Sequence, residues 1–394
     1  MIEKKEGKRL MREKIFNSAT IEKMLATPHG KWHTYSSDII PVWIADPDFP
    51  VASEIKRALI EAVQNEDLFY RNDTKAREAM AKKASERNGF KVTATDVMVT
   101  QGVLPSMWLA TQYACQPGDE AIITDPMYSP FELALKVTGV KSIYWTLKEG
   151  EGYRFEIDVL NELVTKKTKL LFVCNPHNPC GRVITKMELE GIADIAIDND
   201  LTVMVDELWE DIIFEDRKHI SLASLNPEIE DRTITSWGFS KTYGVAGLQI
   251  GYLVTTNRRI MARLRRIALG ILRGTSTLAL SAASIMLDET LEWWRIGIVE
   301  HLHRMKALAE HRFKEMPNVT CPKLEGTYLM FPKFVCGMTT FELWNYMLNE
   351  AKVAFMPGNV LGSQGGNHLR MTIATSETIL NEVFDRLEKA LEIL

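Results

Sequence analysis

The chain has 394 residues, 46% hydrophobic and 25% charged, with a formal net charge of −5. These values suit a folded chain of two or three domains and give no bulk electrostatic case for nucleic acid. The charged start "MIEKKEGKRLMREK" is no secretory signal, "TLALSAASIML" (277–287) falls far short of the ~20 apolar residues a membrane helix needs, and five cysteines argue for a reducing, cytoplasmic setting rather than a disulfide framework.

In chain order, "DVMVT" (96–100), "EAIITD" (120–125), "KLLFVCN" (169–175), "LTVMVDE" (201–207), "RTITS" (232–236) and "QIGYLVT" (249–255) read as strands. Most are apolar throughout, which suits a parallel sheet covered on both faces. Helical patterns lie between them, as in 103–114 and 187–200. The alternation predicts an α/β three-layer sandwich around a mainly parallel sheet. From about residue 286 the texture changes. Long charged helices (296–316 and 376–394) flank the short strands "TYLMFPK" and "HLRMTIA". The expected organisation is an N-terminal segment (1–45) packing with a small C-terminal α+β domain (286–394), and a large domain (46–285) between them.

Ligands of such sheets sit at the carboxyl ends of the strands. After "DVMVT", Gly102 leads into a helix start, which suits a phosphate or serves only a tight turn. After "EAIITD" comes Tyr128, able to stack on a planar ligand or to cap the core. After "KLLFVC", two Asn-Pro pairs and Gly181 force a rigid turn. That turn also spaces Cys174, His177 and Cys180 as C-x2-H-x2-C. A zinc site wants four ligands, and no second Cys/His cluster is near in sequence, so no metal is expected. After "LTVMV" come Asp206 and Glu207, costly to bury without a cationic partner. After "RTITS", Lys241 stands among Ser240, Gly244, Ala246 and Gly247. A lysine there is either solvated or, if desolvated, a Schiff-base amine. Pyridoxal 5'-phosphate needs all of these together: phosphate anchorage, ring stacking, a hydrogen bond to the ring hydroxyl, a carboxylate for the ring nitrogen and a lysine for the aldehyde.

The motifs "NPHNPCGRV", "DELWED" and "GFSKTYGVAGLQIGY" resemble those of the fold-type-I pyridoxal-phosphate enzymes, the class I/II aminotransferase superfamily. The likeness runs from "PVWIADPDF" (41–49) to "HLRMTIATSE" (368–377). The resemblance implies that Lys241 carries the cofactor and shuttles the proton, that Asp206 pairs with the ring nitrogen, that Asn178 bonds the ring hydroxyl, and that Tyr128 stacks on the ring. It implies phosphate-binding amides at Gly102 and Val103, and Arg370 on the substrate carboxylate. Tyr70 would reach the phosphate of a neighbouring subunit, which implies a homodimer with shared sites.

Four positions depart from the pattern. Gln249 replaces the usual phosphate arginine, Gly238 the usual serine, Trp209 the usual tyrosine, and Ala45 the substrate-loop glycine. Ser236, Ser240 or Tyr70 is then left to make up phosphate contacts, with Ala45, Asn178 and Trp209 beside the substrate. Two reactions compete: amino transfer between an L-amino acid and a 2-oxo acid, and C–S β-elimination releasing thiol, pyruvate and ammonia, as in the cystathionine β-lyase-like branch. The residues around Lys241 match the aminotransferase side better, and this is the primary reading. A non-catalytic regulatory protein of the same fold stays as a further alternative. Trp43, Tyr128, Trp209 and Tyr328 would favour an apolar or aromatic substrate side chain. Arg273 reads as a surface residue, His301 and His303 as a solvated helix face, "EWWR" (292–295) as packing or dimer surface, and "GSQGGN" (362–367) as a flexible loop. Cys180 reads as a thiol to test for inhibition by alkylation.

Overall fold

The computed structural model describes residues 2–214, 217–272 and 274–392. A first helix, α1 (Ile2–Phe16), precedes the region that builds the central sheet. That sheet takes β1 (Val97–Thr100), β2 (Glu120–Asp125), β3 (Lys141–Thr146), β4 (Thr168–Cys174), β5 (Thr202–Asp206), β6 (Thr233–Gly238) and β7 (Gly251–Val254). Their spatial order is β1-β7-β6-β5-β4-β2-β3. Only β7 runs against its neighbours, so the sheet is mainly parallel, as expected. Edge strand β3 is not anticipated by the sequence reading. Lys141 and Tyr144 are exposed and only Trp145 is fully buried, so this edge strand lacks the continuous apolar run of its neighbours.

Alternation along each strand explains the layers. In β4, Leu170 and Phe172 pack with Met107 and Leu109 of α2 (Leu104–Ala114) on one face. Leu171 and Val173 pack with Leu189 and Ile192 of α3 (Lys186–Asp198) on the other. A capping box starts α3: Glu188 N donates to Thr185 Oγ1 at 3.3 Å, and Thr185 N to Glu188 Oε2 at 2.8 Å. The register pairs Cys174 with Asp206, Asp206 with Ser236, and Gly238 with Gly251. The ends that carry the motifs are thereby brought level.

Toward the C-terminus, α4 (Glu292–Glu315) leads to a three-stranded antiparallel sheet. Its central strand β10 (Leu369–Thr372) lies between β8 (Leu329–Met330) and β9 (Met356–Pro357), and α5 (Glu377–Leu391) closes the chain. The N-terminal segment joins this region. Ile40 and Pro41 pair in parallel with Val353 and Ala354, and the rings of Phe16 and Trp294 lie 4.7 Å apart.

Two expectations about this region are corrected. His301 does not lie on a solvated face: it is 1% exposed and its Nε2 bonds Thr375 O at 2.8 Å. Trp294, Ile298, His301 and Met305 form one buried stripe of α4 at helical spacing. The "GSQGGN" segment is pinned rather than loose, since Ser363 Oγ donates to Asp125 Oδ2 at 2.5 Å and Gln364 N to Asp125 Oδ1 at 3.2 Å. Among the described residues, no helix is long and apolar enough to cross a membrane.

Candidate active site

A cavity of about 320 Å³ opens at the carboxyl ends of β1, β4, β5 and β6, under the segment Trp43–Ala45 and against Arg370 of β10. The turn after β1 reaches this depth because of two glycines. Gly102 takes φ +94, and a Cβ on Gly251 would stand 2.8 Å from Trp237 O and 3.0 Å from Gly102. Gly102, Val103 and Leu104 then line the cavity at the start of α2, and their amides bond no backbone acceptor among the described residues.

Lys241 sits on the single helical turn Ser240–Tyr243 that follows β6. The turn is held from behind, where Trp294 Nε1 donates to Thr242 O at 2.8 Å and Thr242 Oγ1 to Asp211 Oδ2 at 3.1 Å. Lys241 Nζ donates to Ala45 O at 2.7 Å and lies 5.7 Å from the centre of the Trp209 ring. Desolvation lowers its pKa to about 8, with Asp46 opposing and Arg370 reinforcing the shift. A nucleophilic free amine is therefore accessible near neutral pH.

Asp206, the last residue of β5, is 3% exposed and takes one backbone hydrogen bond, from Leu208 N at 3.0 Å. Burial raises its pKa to about 7, against the pull of that bond and of Lys241. Arg370 is 2% exposed. Its Nη1 donates to Asn178 Oδ1 and its Nη2 to Trp43 O, both at 3.1 Å, while Nε has no partner. No carboxylate among the described residues lies within ion-pair distance of it. Desolvation lowers its pKa to about 10, which still leaves it a cation. A buried, half-used guanidinium facing a cavity calls for an anionic guest.

The structure brings Ala45, Gly102, Val103, Tyr128, Asn178, Asp206, Trp209, Ser240, Lys241, Gln249 and Arg370 to this one cavity. Gln249 adopts φ 50 and its Nε2 donates to Ala246 O at 3.0 Å. Ser236 is not brought there, a correction. It lies two residues before the end of β6, facing α2, and its hydroxyl bonds Ser106 Oγ at 2.9 Å. Tyr70 is fully solvent-exposed beside exposed Leu68 and Phe69 and does not line the cavity of its own chain. Tyr328 stands behind Trp209, ring centres 4.6 Å apart, with its hydroxyl on Ala45 O at 3.2 Å. It backs the wall rather than forming it. Cys180 is buried and its thiol is pushed far up by desolvation, so it is no alkylation target in the folded chain. Arg273 lies outside the described residues. Sequence reasoning missed Met356 and Ile250 as cavity walls and Asp125 as the anchor of residues 363–364. The last contact spans 238 residues and leaves no local signal.

Fold and cavity together set a desolvated lysine amine and a buried arginine without a carboxylate partner in one cleft at the strand ends. The chain belongs to the aminotransferase class I and II family, which matches residues 38–387, and it is a pyridoxal-phosphate-dependent enzyme. It is 31% identical to an aspartate aminotransferase of Pyrococcus abyssi, over 96% of each chain. It is 28% identical to the cystathionine beta-lyase PatB of Bacillus subtilis, over 94% of this chain and 98% of that protein. Among solved structures, cystalysin from Treponema denticola, which contains pyridoxal 5'-phosphate, superposes with a TM-score of 0.88 at 28% identity, covering 94% of this chain and 95% of that one. An aromatic aminotransferase from Pyrococcus horikoshii gives a TM-score of 0.85 at 30% identity, covering 95% and 99%. The residues present fit the cofactor: an unmatched buried carboxylate for its ring nitrogen, an amine for its aldehyde, and free amides for its phosphate.

Proposed function

We propose that the chain transfers the amino group of an L-amino acid with a large apolar or aromatic side chain to a 2-oxo acid. The observation that carries this is Arg370, buried without a carboxylate partner in the same cavity as the Lys241 amine. Among the described residues lining the cavity, Lys241 and Arg370 are the only cations, while Trp43, Tyr128, Trp209 and Met356 offer apolar surface. Among the described residues lining the cavity, a second carboxylate on the substrate would find no further counter-charge.

When bound, pyridoxal phosphate supplies an electron-withdrawing ring that stabilises the charge left at the substrate Cα. Arg370 holds the substrate carboxylate in a bidentate pair and so orients the Cα–H bond toward Lys241. Lys241 Nζ takes that proton and returns it. Asp206, as carboxylate, accepts the hydrogen bond of the protonated ring nitrogen. Asn178 has its Oδ1 engaged by Arg370, so it offers its NH2 to the ring hydroxyl oxygen. Tyr128 covers the ring, and the amides of Gly102 and Val103, with Ser240 and Gln249, take the phosphate.

We further propose a homodimer, in which Leu68, Phe69 and Tyr70 pack on a second copy and Tyr70 reaches its phosphate. The exposure of three consecutive large apolar residues supports this. The division near residues 45 and 285 is supported by the pairing of Ile40–Pro41 with Val353–Ala354. A reducing, cytoplasmic setting suits five free cysteines.

The test is a substrate panel with purified enzyme. Phenylalanine, leucine or methionine with 2-oxoglutarate should give glutamate, and Lys241→Ala should abolish it. Release of pyruvate and thiol from cystathionine, without glutamate formation from any donor, would select the C–S lyase instead.

A further inference from the structure

Behind Asp206 lies a second group of charges that the reaction does not touch. Glu207 is 0% exposed, and alternation turns it to the sheet face opposite Asp206. Its Oε1 accepts from Leu222 N at 3.3 Å, and its Oε2 lies 3.2 Å from His219 Nε2. The other ring nitrogen of His219 lies 3.5 Å from Asn175 Nδ2, too long for a firm bond, so Nδ1 stays open to a second proton. Asn175 accepts from Ile184 N at 3.0 Å and donates its backbone N–H to Asp206 O at 2.9 Å. His219 thus stands between the strand end carrying Asp206 and the turn carrying Asn178.

The other groups facing this pair are Glu210, Lys83 and Asn88. The carboxylate of Glu210 lies with Glu207 and His219 in a cluster whose polar atoms are all within 4.8 Å of one another. Lys83 is ion-paired to Glu210 and stands 4.4 Å over the Trp237 ring, and Asn88 Nδ2 donates to Glu210 Oε2 at 2.6 Å. Two carboxylates therefore face Lys83 and His219. Lys83 is engaged by Glu210, so the cluster closes at zero charge only when His219 carries its proton. Without it, the Glu207 charge is not cancelled in a nearly dry pocket, one residue from Asp206, although Leu222 N still bonds its Oε1.

We infer that His219, acting through Glu207, is a positioning residue for Asp206: its imidazolium cancels the Glu207 charge and so lets Asp206 ionise against the ring nitrogen of the cofactor. The inference rests on the pyridoxal-phosphate reading of the cavity. Burial already lifts Asp206 to about 7, and Glu207 pushes the same way, so its ionisation at neutral pH hangs on neighbouring charge. Burial alone would lower His219, but Glu207 and Glu210 outweigh it and raise its pKa.

The test uses holoenzyme and follows the visible absorption band of the bound cofactor against pH in wild type, His219→Gln, Glu207→Gln and the double variant. His219→Gln keeps a hydrogen-bond donor but loses the charge. The midpoint of the band's titration should move to higher pH by about one unit, because a ring nitrogen without its proton repels the nearby imine proton less. kcat should fall about tenfold with KM little changed. The double variant removes charge and counter-charge together and should return the midpoint to the wild-type value. A wild-type midpoint in His219→Gln, or a double variant no nearer wild type than the single one, overturns the inference. Should His219→Gln fail to fold, Glu207→Gln decides alone: a midpoint lowered below wild type supports it and an unchanged one overturns it. A colourless wild-type protein after incubation with pyridoxal phosphate would instead sink the cofactor reading, and the inference with it.

Discussion

Arg370 Nη1 donates to Asn178 Oδ1 at 3.1 Å, so the residue proposed for the ring hydroxyl also anchors the residue proposed for the substrate carboxylate. The two sit 192 positions apart in sequence and meet because β10 packs over the turn that follows β4. With those proposed roles, cofactor recognition and substrate recognition would be coupled through one hydrogen bond.

This coupling is measurable. Arg370→Ala should lower kcat/KM for the amino acid by about 10²-fold, the usual worth of a charge-assisted bidentate contact. Asn178→Ala should weaken cofactor binding and also raise KM about tenfold, because Arg370 loses a partner that orients it. The double variant should lose less than the two single losses added together. Strictly additive losses in steady-state kinetics would mean that the two residues act independently.

Gln249 is proposed to face the phosphate, and among the described residues lining the cavity Lys241 and Arg370 are the only cations. Its backbone already has φ 50, a conformation no harder for arginine than for glutamine. Gln249→Arg should tighten pyridoxal phosphate about tenfold in a titration of the apo chain, by adding a charge-assisted phosphate contact. Unchanged or weaker binding would show that this side chain does not reach the phosphate.

The parts of the fold legible in sequence are those where one residue's chemistry conflicts with its surroundings. β4 and β5 announce themselves by unbroken apolar runs, and Asp206 by following one. Lys241 stands out among small residues, whereas Arg370 enters only through the family resemblance. Ser236 reads in sequence as one of three residues to make up for the missing phosphate contacts, yet its hydroxyl is claimed by Ser106 of α2, a partner no spacing rule supplies. His301 was recoverable: Trp294, Ile298 and Met305 stand at helical intervals around it, and the charges between them masked the stripe. The anchoring of Ser363 by Asp125 was not, because it depends on how β10 is carried back over β2.

Thiol chemistry separates the buried cysteines from the rest. Cys115, Cys174 and Cys180 are buried, and Cys321 and Cys336 are partly exposed. Burial raises the thiols of Cys174 and Cys180 well above their ordinary value and that of Cys115 to about 12. Brief treatment of native protein with iodoacetamide should modify Cys336 first and leave activity intact, as read by peptide mass spectrometry. Modification of Cys180 on the same timescale would contradict its burial.

Acid should destabilise the protein through His301. The neutral ring is fully used, with Nε2 donating to Thr375 O at 2.8 Å and Nδ1 accepting from Arg304 Nη2 at 3.3 Å. A second proton would set an N–H against the Arg304 guanidinium. Burial, helped by Arg304, lowers its pKa to about 4, whereas the unfolded chain keeps a value of ~6.5. As pH falls below ~6.5 the unfolded state binds the proton first, so stability is lost between ~6.5 and about 4 and changes no further below that. From pH 7 to pH 5 the loss from this residue is about 2 kcal/mol. His219 and Asp206, both raised, contribute with the opposite sign, so total stability is a poor readout. The difference between wild type and His301→Gln cancels those terms. Urea unfolding should find that difference smaller at pH 5 than at pH 7 by about 2 kcal/mol, and a difference independent of pH would show that His301 does not stay neutral in the folded chain.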